Sequence, residues 1–292
     1  MANKTKKVKK GAIDTVTGTA NETFNFLKKK IKLLFIDILK IEIGAFAIAI
    51  AVILIGLLFM FGLGLFSSLP LDSENPDISE ILPLIAGLLV TFLFAGILST
   101  IFQSVTYNAV DMRMKNARVM ITERFQRNFI PMLSLMILIG IVYLIIFIPG
   151  IIAIVSGSMT GVFLAFTLLF ISILILIVFL FFAQFAVLEL LINERGPWES
   201  IMNSLELVKK NFWAVIAFDI AYWIISMALG SVMAFISYSI QILFFMLMMV
   251  NPLAGILIMV LILLIVEIIY VAGMKAIMLP FMYKFWKNIQ VK

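Results

Sequence analysis

The sequence predicts an all-α, polytopic membrane protein with about six transmembrane helices, and three observations carry that prediction. First, of 292 residues 64% are apolar or aromatic and only 13% are charged, whereas a soluble domain carries about 25% charged residues. Second, uncharged runs of 29 residues separate Glu42 from Asp72, 30 separate Glu80 from Asp111, and 61 separate Arg127 from Glu189. Since about 20 helical residues cover ~30 Å of hydrocarbon, the first two runs are single crossings and the third is two. Third, the basic residues cluster on alternate connections, as they do in multi-pass chains.

Taken in order, residues 1–22 are rich in Lys, Thr and Gly and read as a basic, disordered cytoplasmic tail. Residues 23–40 read as an amphipathic helix lying in the headgroup layer. Phe24, Leu27, Ile31, Leu34, Phe35 and Ile38 share one stripe at helical spacing. Lys28, Lys29, Lys30 and Lys32 then become the contacts to anionic lipid headgroups. Ordinary basic flanking of a first span explains the same lysines without any lipid preference.

Residues 41–292 form the membrane domain, with spans expected near 43–67, 81–106, 129–154, 162–188, 212–238 and 253–283. The long third run turns at Ser156–Gly161, after the helix-weakening pair Pro149-Gly150. The last two spans turn near Asn251-Pro252. Gln241–Val250 is too apolar for an exposed loop, so it extends a tilted helix, lies in the interface or re-enters the membrane.

Orientation follows from Lys and Arg near the span ends. Residues 1–40 hold ten Lys, the 107–128 connection holds Arg113, Lys115, Arg118, Arg124 and Arg127, and the C-terminus holds Lys284, Lys287 and Lys292. The opposite connection from Ser67 to Glu80 carries only acids. Both termini are expected in the cytoplasm, in a plasma or inner membrane. The first apolar run starts some forty residues in with no small-residue cleavage site before it, so it is expected to remain as an anchor.

Two further connections read as short amphipathic helices. In the second, Gly196-Pro197 opens a helix with Pro at a tolerated first-turn position, and Trp198, Ile201, Met202, Leu205 and Val208 make its apolar stripe. Glu123, Arg127, Asn128 and Phe129 recur 83 residues later as Glu206, Lys210, Asn211 and Phe212. The recurrence suggests tandem repeats, each an interfacial helix followed by two spans. Parallel repeats of this kind occur in transporters, with sites between the repeats, and also in folds with no transport role.

Ionisable residues inside spans mark candidate sites, because each is costly in hydrocarbon unless paired or hydrated. Asp219 and Lys275 sit at ~12 and ~13 Å from the inner ends of the fifth and sixth spans at 1.5 Å per residue. An Asp219–Lys275 ion pair between these helices, helped by Tyr222, is the expected solution. Glu267 lies two turns nearer the midplane. It reads either as a carboxyl hydrogen-bonded inside the bundle, to Gln184 or Tyr270, or as a proton, cation or headgroup site. Glu189, Glu194, Glu199 and Arg195 read as surface charge.

The chain has no Cys and no His, which excludes thiolate and imidazole metal centres, disulfides and His-based triads. It also lacks GxxxxGK[ST], HExxH and GxSxG motifs and an Asp-rich Mg²⁺ cluster. No enzyme, metal or cofactor is expected. Nucleic-acid binding is not expected either, since no aromatic residue interleaves with the early lysines.

Two stretches carry a family resemblance. Ala186-Val187-Leu188-Glu189 is followed by Glu194-Arg195-Gly196-Pro197-Trp198-Glu199-Ser200 and by Ser204-Leu205-Glu206-Leu207-Val208-Lys209-Lys210-Asn211-Phe212-Trp213. Together with the terminal Leu279-Pro280-Phe281-Met282-Tyr283, these resemble a group of six-span prokaryotic proteins. That group includes the membrane domain of glycerophosphoryl diester phosphodiesterases and related uncharacterised families. The resemblance implies a six-helix membrane module and no catalytic residues, because the phosphodiesterase activity of the group belongs to a separate soluble domain.

The expected function is a non-enzymatic module that binds anionic lipid, organises the membrane, or supports a protein partner or second copy. The alternative is a small transporter or channel subunit with a polar site around Glu267, Lys275 and Asp219. A hydrated interior would mark the second, a packed one the first.

Overall fold

The computed structural model describes residues 11–62, 78–155, 159–248 and 252–290. Among them all regular structure is helical, and six helical rods are long and apolar enough to cross a membrane. The protein is thus a multi-pass helical membrane protein. Residues 1–10, most of the acidic Ser67–Glu80 connection and the centre of the Ser156–Gly161 turn lie outside the described residues.

Helix α1 runs unbroken from Ala12 to Gly62, 51 residues, or ~76 Å at 1.5 Å per residue. This corrects two expectations. The tail expected to be irregular through residue 22 is helical from Ala12, and the 23–40 helix is fused to the first span rather than separate. The reason is local: the first proline is Pro70, so nothing interrupts the hydrogen-bond ladder. Gly11 opens the helix by donating its N–H to Asp14 Oδ2 at 3.3 Å, half of a capping box. One face stays buried along most of the rod, through Thr15, Thr19, Thr23, Leu34, Ile38, Ile41 and Ala45.

The second span is two helices, α2 (Ile78–Gln103) and α3 (Val105–Met114), broken at Ser104. The Ser104 hydroxyl donates to the Ile101 carbonyl at 2.6 Å and accepts Asn128 Nδ2–H at 3.0 Å, so a buried side chain pins the break. No separate amphipathic helix follows. After α3 the chain turns through Asn116, whose φ is 59°, and enters α4 (Ile121–Val155), which carries Pro131 and Pro149 within it.

The fourth span is broken in the same way, into α5 (Met159–Ala183) and α6 (Ala186–Ile192). Ser204 Oγ donates to the Phe182 carbonyl at 2.7 Å and accepts the Phe185 N–H at 3.1 Å, satisfying backbone groups that the break would orphan. Ser204 belongs to α7 (Pro197–Lys210), a short helix with proline in its first turn. Helix α8 (Phe212–Met248) absorbs most of the apolar Gln241–Val250 stretch as a continuation of the fifth span. Helix α9 (Pro252–Gln290) completes the chain and contains Pro280.

α1 packs along α2 and α9, α4 along α5, and α8 along α9, with α2 touching α4. Close approach of α1 and α2 needs glycine: a Cβ on Gly44 would stand 2.7 Å from Phe102, and one on Gly56 would overlap Thr91. The main core lies at the end of the bundle where Lys and Arg gather, called here the basic end. It is built from Leu34, Val110, Phe185, Val208, Phe218, Phe285 and Trp286 with their neighbours. Towards the other end the helices expose large apolar side chains, such as Leu58, Phe163 and Phe235, as a lipid-facing surface does.

Candidate functional site

Lys275 does not pair with Asp219. Its Nζ lies 2.7 Å from Glu42 Oε1 and donates to Gln103 Oε1 at 3.0 Å, joining α9 to α1 and α2. The Glu42 side chain is 6% exposed and that of Lys275 26%. The correction has a geometric cause: α9 packs against α1 as well as α8, and α1 brings a carboxylate to Lys275 at the start of its own span. Lys275 therefore stands level with the basic end of the first span, short of the midplane.

Asp219 instead meets Gln184 Nε2 at 3.4 Å, in the break between α5 and α6. Tyr222 stacks at a tilt on Phe218, 5.8 Å between ring centres. Glu267 is exposed on α9 and has no hydrogen-bond or ion-pair partner among the described residues. The bonds expected from Gln184 or Tyr270 to Glu267 are not made. It lies ~12 Å beyond Lys275 along the helix axis, with an apolar exposed surround that includes Val260, Ile265 and Ile269.

Glu189 overturns its reading as surface charge. It is 2% exposed and accepts Trp286 Nε1–H at 2.9 Å, Gln290 Nε2–H at 2.6 Å and Asn193 Nδ2–H at 2.9 Å. Arg195 Nε lies 3.6 Å away. The carboxylate thus ties α6 to the last turns of α9. Glu194 and Glu199 do lie at the surface. Two further contacts were not foreseen: Asp37–Arg113 at 2.5 Å between α1 and α3, and Tyr283 OH donating to Asp111 Oδ1 at 2.6 Å between α9 and α3. The signal for the first was acids just ahead of an apolar run, facing an arginine just after one.

The repeat-matched residues do not make matched contacts. Arg127 on α4 reaches Glu194 in the α6–α7 turn at 2.6 Å, whereas Lys210 pairs with Glu206 on its own helix at 3.3 Å. Glu123 is exposed. Asn128 and Asn211 do share a role, each tying the start of a span to another element, through Ser104 and the Ile289 carbonyl respectively.

Beyond the core, two surfaces combine apolar and basic groups. On α1, Lys28, Lys29 and Lys32 are exposed and Lys30 is partly buried. The predicted stripe splits there: Leu34 and Ile38 enter the core, while Phe24 is 68% exposed. The stripe of α7 splits likewise, with Ile201 and Val208 buried but Trp198 60% and Met202 41% exposed. Trp213, just beyond α7, is 73% exposed.

Among the described residues no group of His, Cys, Asp and Glu side chains could hold a metal ion. No curated protein and no solved structure matches the chain significantly. A family described as a domain of unknown function (DUF7847) matches residues 44–277, from within the first helix to within the last, and the chain belongs to that family.

Proposed function

We propose that this is a non-enzymatic, lipid-binding and membrane-organising module of a prokaryotic plasma membrane, with both termini cytoplasmic. The carrying observation is that the core covers only part of the apolar stripe of α7. Ile201, Ser204 and Val208 pack inward, while Trp198 and Met202 remain exposed and Lys209 and Lys210 are exposed in the last turn. An apolar stripe only partly covered by the core is costly in water, and one with lysines at the helix end suits the headgroup layer. The exposed lysines of α1 support the same reading through their attraction to anionic lipid, as does the resemblance to a six-span module without catalytic residues. Such a surface also suits support of a protein partner or a second copy. Native mass spectrometry of protein released gently from its own membrane tests the proposal. Retained anionic phospholipid, reduced in amount when Lys28, Lys29, Lys30 and Lys32 are changed to Gln, is the expected result. A bare chain would overturn it.

A second reading, a small transporter or channel subunit, is favoured by one observation: the unpartnered Glu267 on α9. A carboxylate at that depth is stable beside water or a bound cation, and costly against acyl chains. Reaction of a Val271→Cys variant with a soluble thiol reagent, with flux lost in Glu267→Gln, would establish it. An unreactive thiol would rule it out.

A further inference from the structure

An open groove of about 250 Å³ lies between the end of α5 and α7, lined by Phe182, Met202, Leu205, Glu206 and Lys209. Its floor is apolar. Its one acid is neutralised, since Glu206 pairs with Lys210 at 3.3 Å. Lys209 is exposed and has no carboxylate within ion-pair distance among the described residues. The groove therefore offers one unshared positive charge beside a shallow apolar surface.

Its surroundings extend that pattern. Phe182 meets Phe181 edge-on at 5.3 Å, Phe181 meets Phe212 at 5.9 Å, and Phe212 meets Trp213 at 5.4 Å. This aromatic path runs from α5 to the start of α8, beside the last turn of α7. Trp213 is largely exposed at its end, as an amphipathic ring at the membrane surface is. From Phe182 outward, the same face of α5 stays apolar and exposed through Val178, Ile175, Ile171 and Leu164.

We infer that this groove is a specific site for an anionic phospholipid, with the lipid phosphate on Lys209, the upper acyl chain against Phe182, Met202 and Leu205, and the remaining chain along α5. This rests on the lipid-binding reading and names where it acts. Charge complementarity selects an anionic headgroup: a zwitterionic one brings its own cation against Lys209. The apolar wall selects a lipid over a soluble phosphate. Buried Ser204 holds the groove's shape, since it joins α7 to the carbonyl of Phe182 itself.

The test uses the full chain in nanodiscs, in a Trp198→Phe/Trp223→Phe background. Trp213 then reports at the rim, and Trp286, 2% exposed, serves as a shielded reference. Quenching is compared between brominated phosphatidylglycerol and brominated phosphatidylcholine. The expected result is preferential quenching by the anionic lipid, by about fivefold in apparent affinity, the factor one lysine contributes near the headgroup plane. Lys209→Gln should abolish the preference, Lys209→Arg should restore it, and Lys28→Gln/Lys29→Gln/Lys32→Gln should leave it intact. An unchanged preference in Lys209→Gln, or equal quenching by both lipids in a protein that still retains anionic lipid in native mass spectrometry, overturns the groove but not the lipid-binding reading. Absence of any retained lipid overturns both.

Discussion

Lys275 and Glu42 meet at 2.7 Å although they stand 233 positions apart in sequence, and this contact locks the last helix to the first. Breaking a buried ion pair leaves an uncompensated charge, which costs about 3–5 kcal/mol, while replacing both partners by apolar groups is often near neutral. Glu42→Ala and Lys275→Ala should each lower unfolding stability in detergent by about that amount, less some screening at the partly exposed ammonium. The double variant Glu42→Leu/Lys275→Met should recover most of the loss. Additive losses in the double variant would show that the two residues act separately.

Glu189 should be the most sensitive acid of the basic end. Removing it strands the Trp286 indole N–H and the amides of Gln290 and Asn193, each an interaction with a charged group worth about 1.5–3 kcal/mol. Glu189→Ala should destabilise by several kcal/mol and shift Trp286 emission to the red as the end of α9 loosens. Glu194→Ala, at the surface, should do neither, beyond the small loss of its pair with Arg127.

Gly44→Leu should push α1 away from Phe102 and cost roughly 1–3 kcal/mol through overpacking. Gly62→Leu, where a Cβ meets nothing within 4 Å, should change stability little. Thermal unfolding of the pair in one detergent separates close packing from a general dislike of bulk on α1.

Neutralising Lys28, Lys29 and Lys32 should weaken attraction to anionic vesicles by roughly 1 kcal/mol per lysine near the surface. The read-out is the affinity of a soluble fragment covering residues 11–40 for phosphatidylglycerol vesicles. Raising salt should shrink the difference between fragment and variant, because exposed charges are screened over about 8 Å at physiological ionic strength. A salt-independent difference would mean that the lysines act through folding of the helix.

The span pattern was legible because hydrocarbon imposes a one-dimensional rule: about 20 apolar residues in sequence, whatever their partners. The joins between elements were less so. α1 reads as an interfacial helix plus a span because lysines interrupt its apolar pattern, yet charge on one face does not stop a helix that has no proline. The breaks at Ser104 and Gln184-Phe185 carry no local signal of that kind. They are held by Asn128 and Ser204 on other elements.

The same division runs through the site. Asp219, Glu267 and Lys275 stood out because ionisable groups are rare in spans. Glu42, Gln103 and Glu189 did not, being ordinary residues at span ends. Asp219 and Lys275 looked like partners because depth is all that sequence reports, and depth leaves the rotation of each helix and the identity of its neighbour open.

By itself the sequence determined the solvent, the helical class and the approximate crossings, since these depend on composition and local spacing. Only the tertiary structure decided which charges are paired, which carboxylate is buried and which part of the α7 stripe is left exposed. Those follow from helix order and rotation in the bundle, where α9 packs against both α1 and α8 and side chains hundreds of residues apart come within 3 Å.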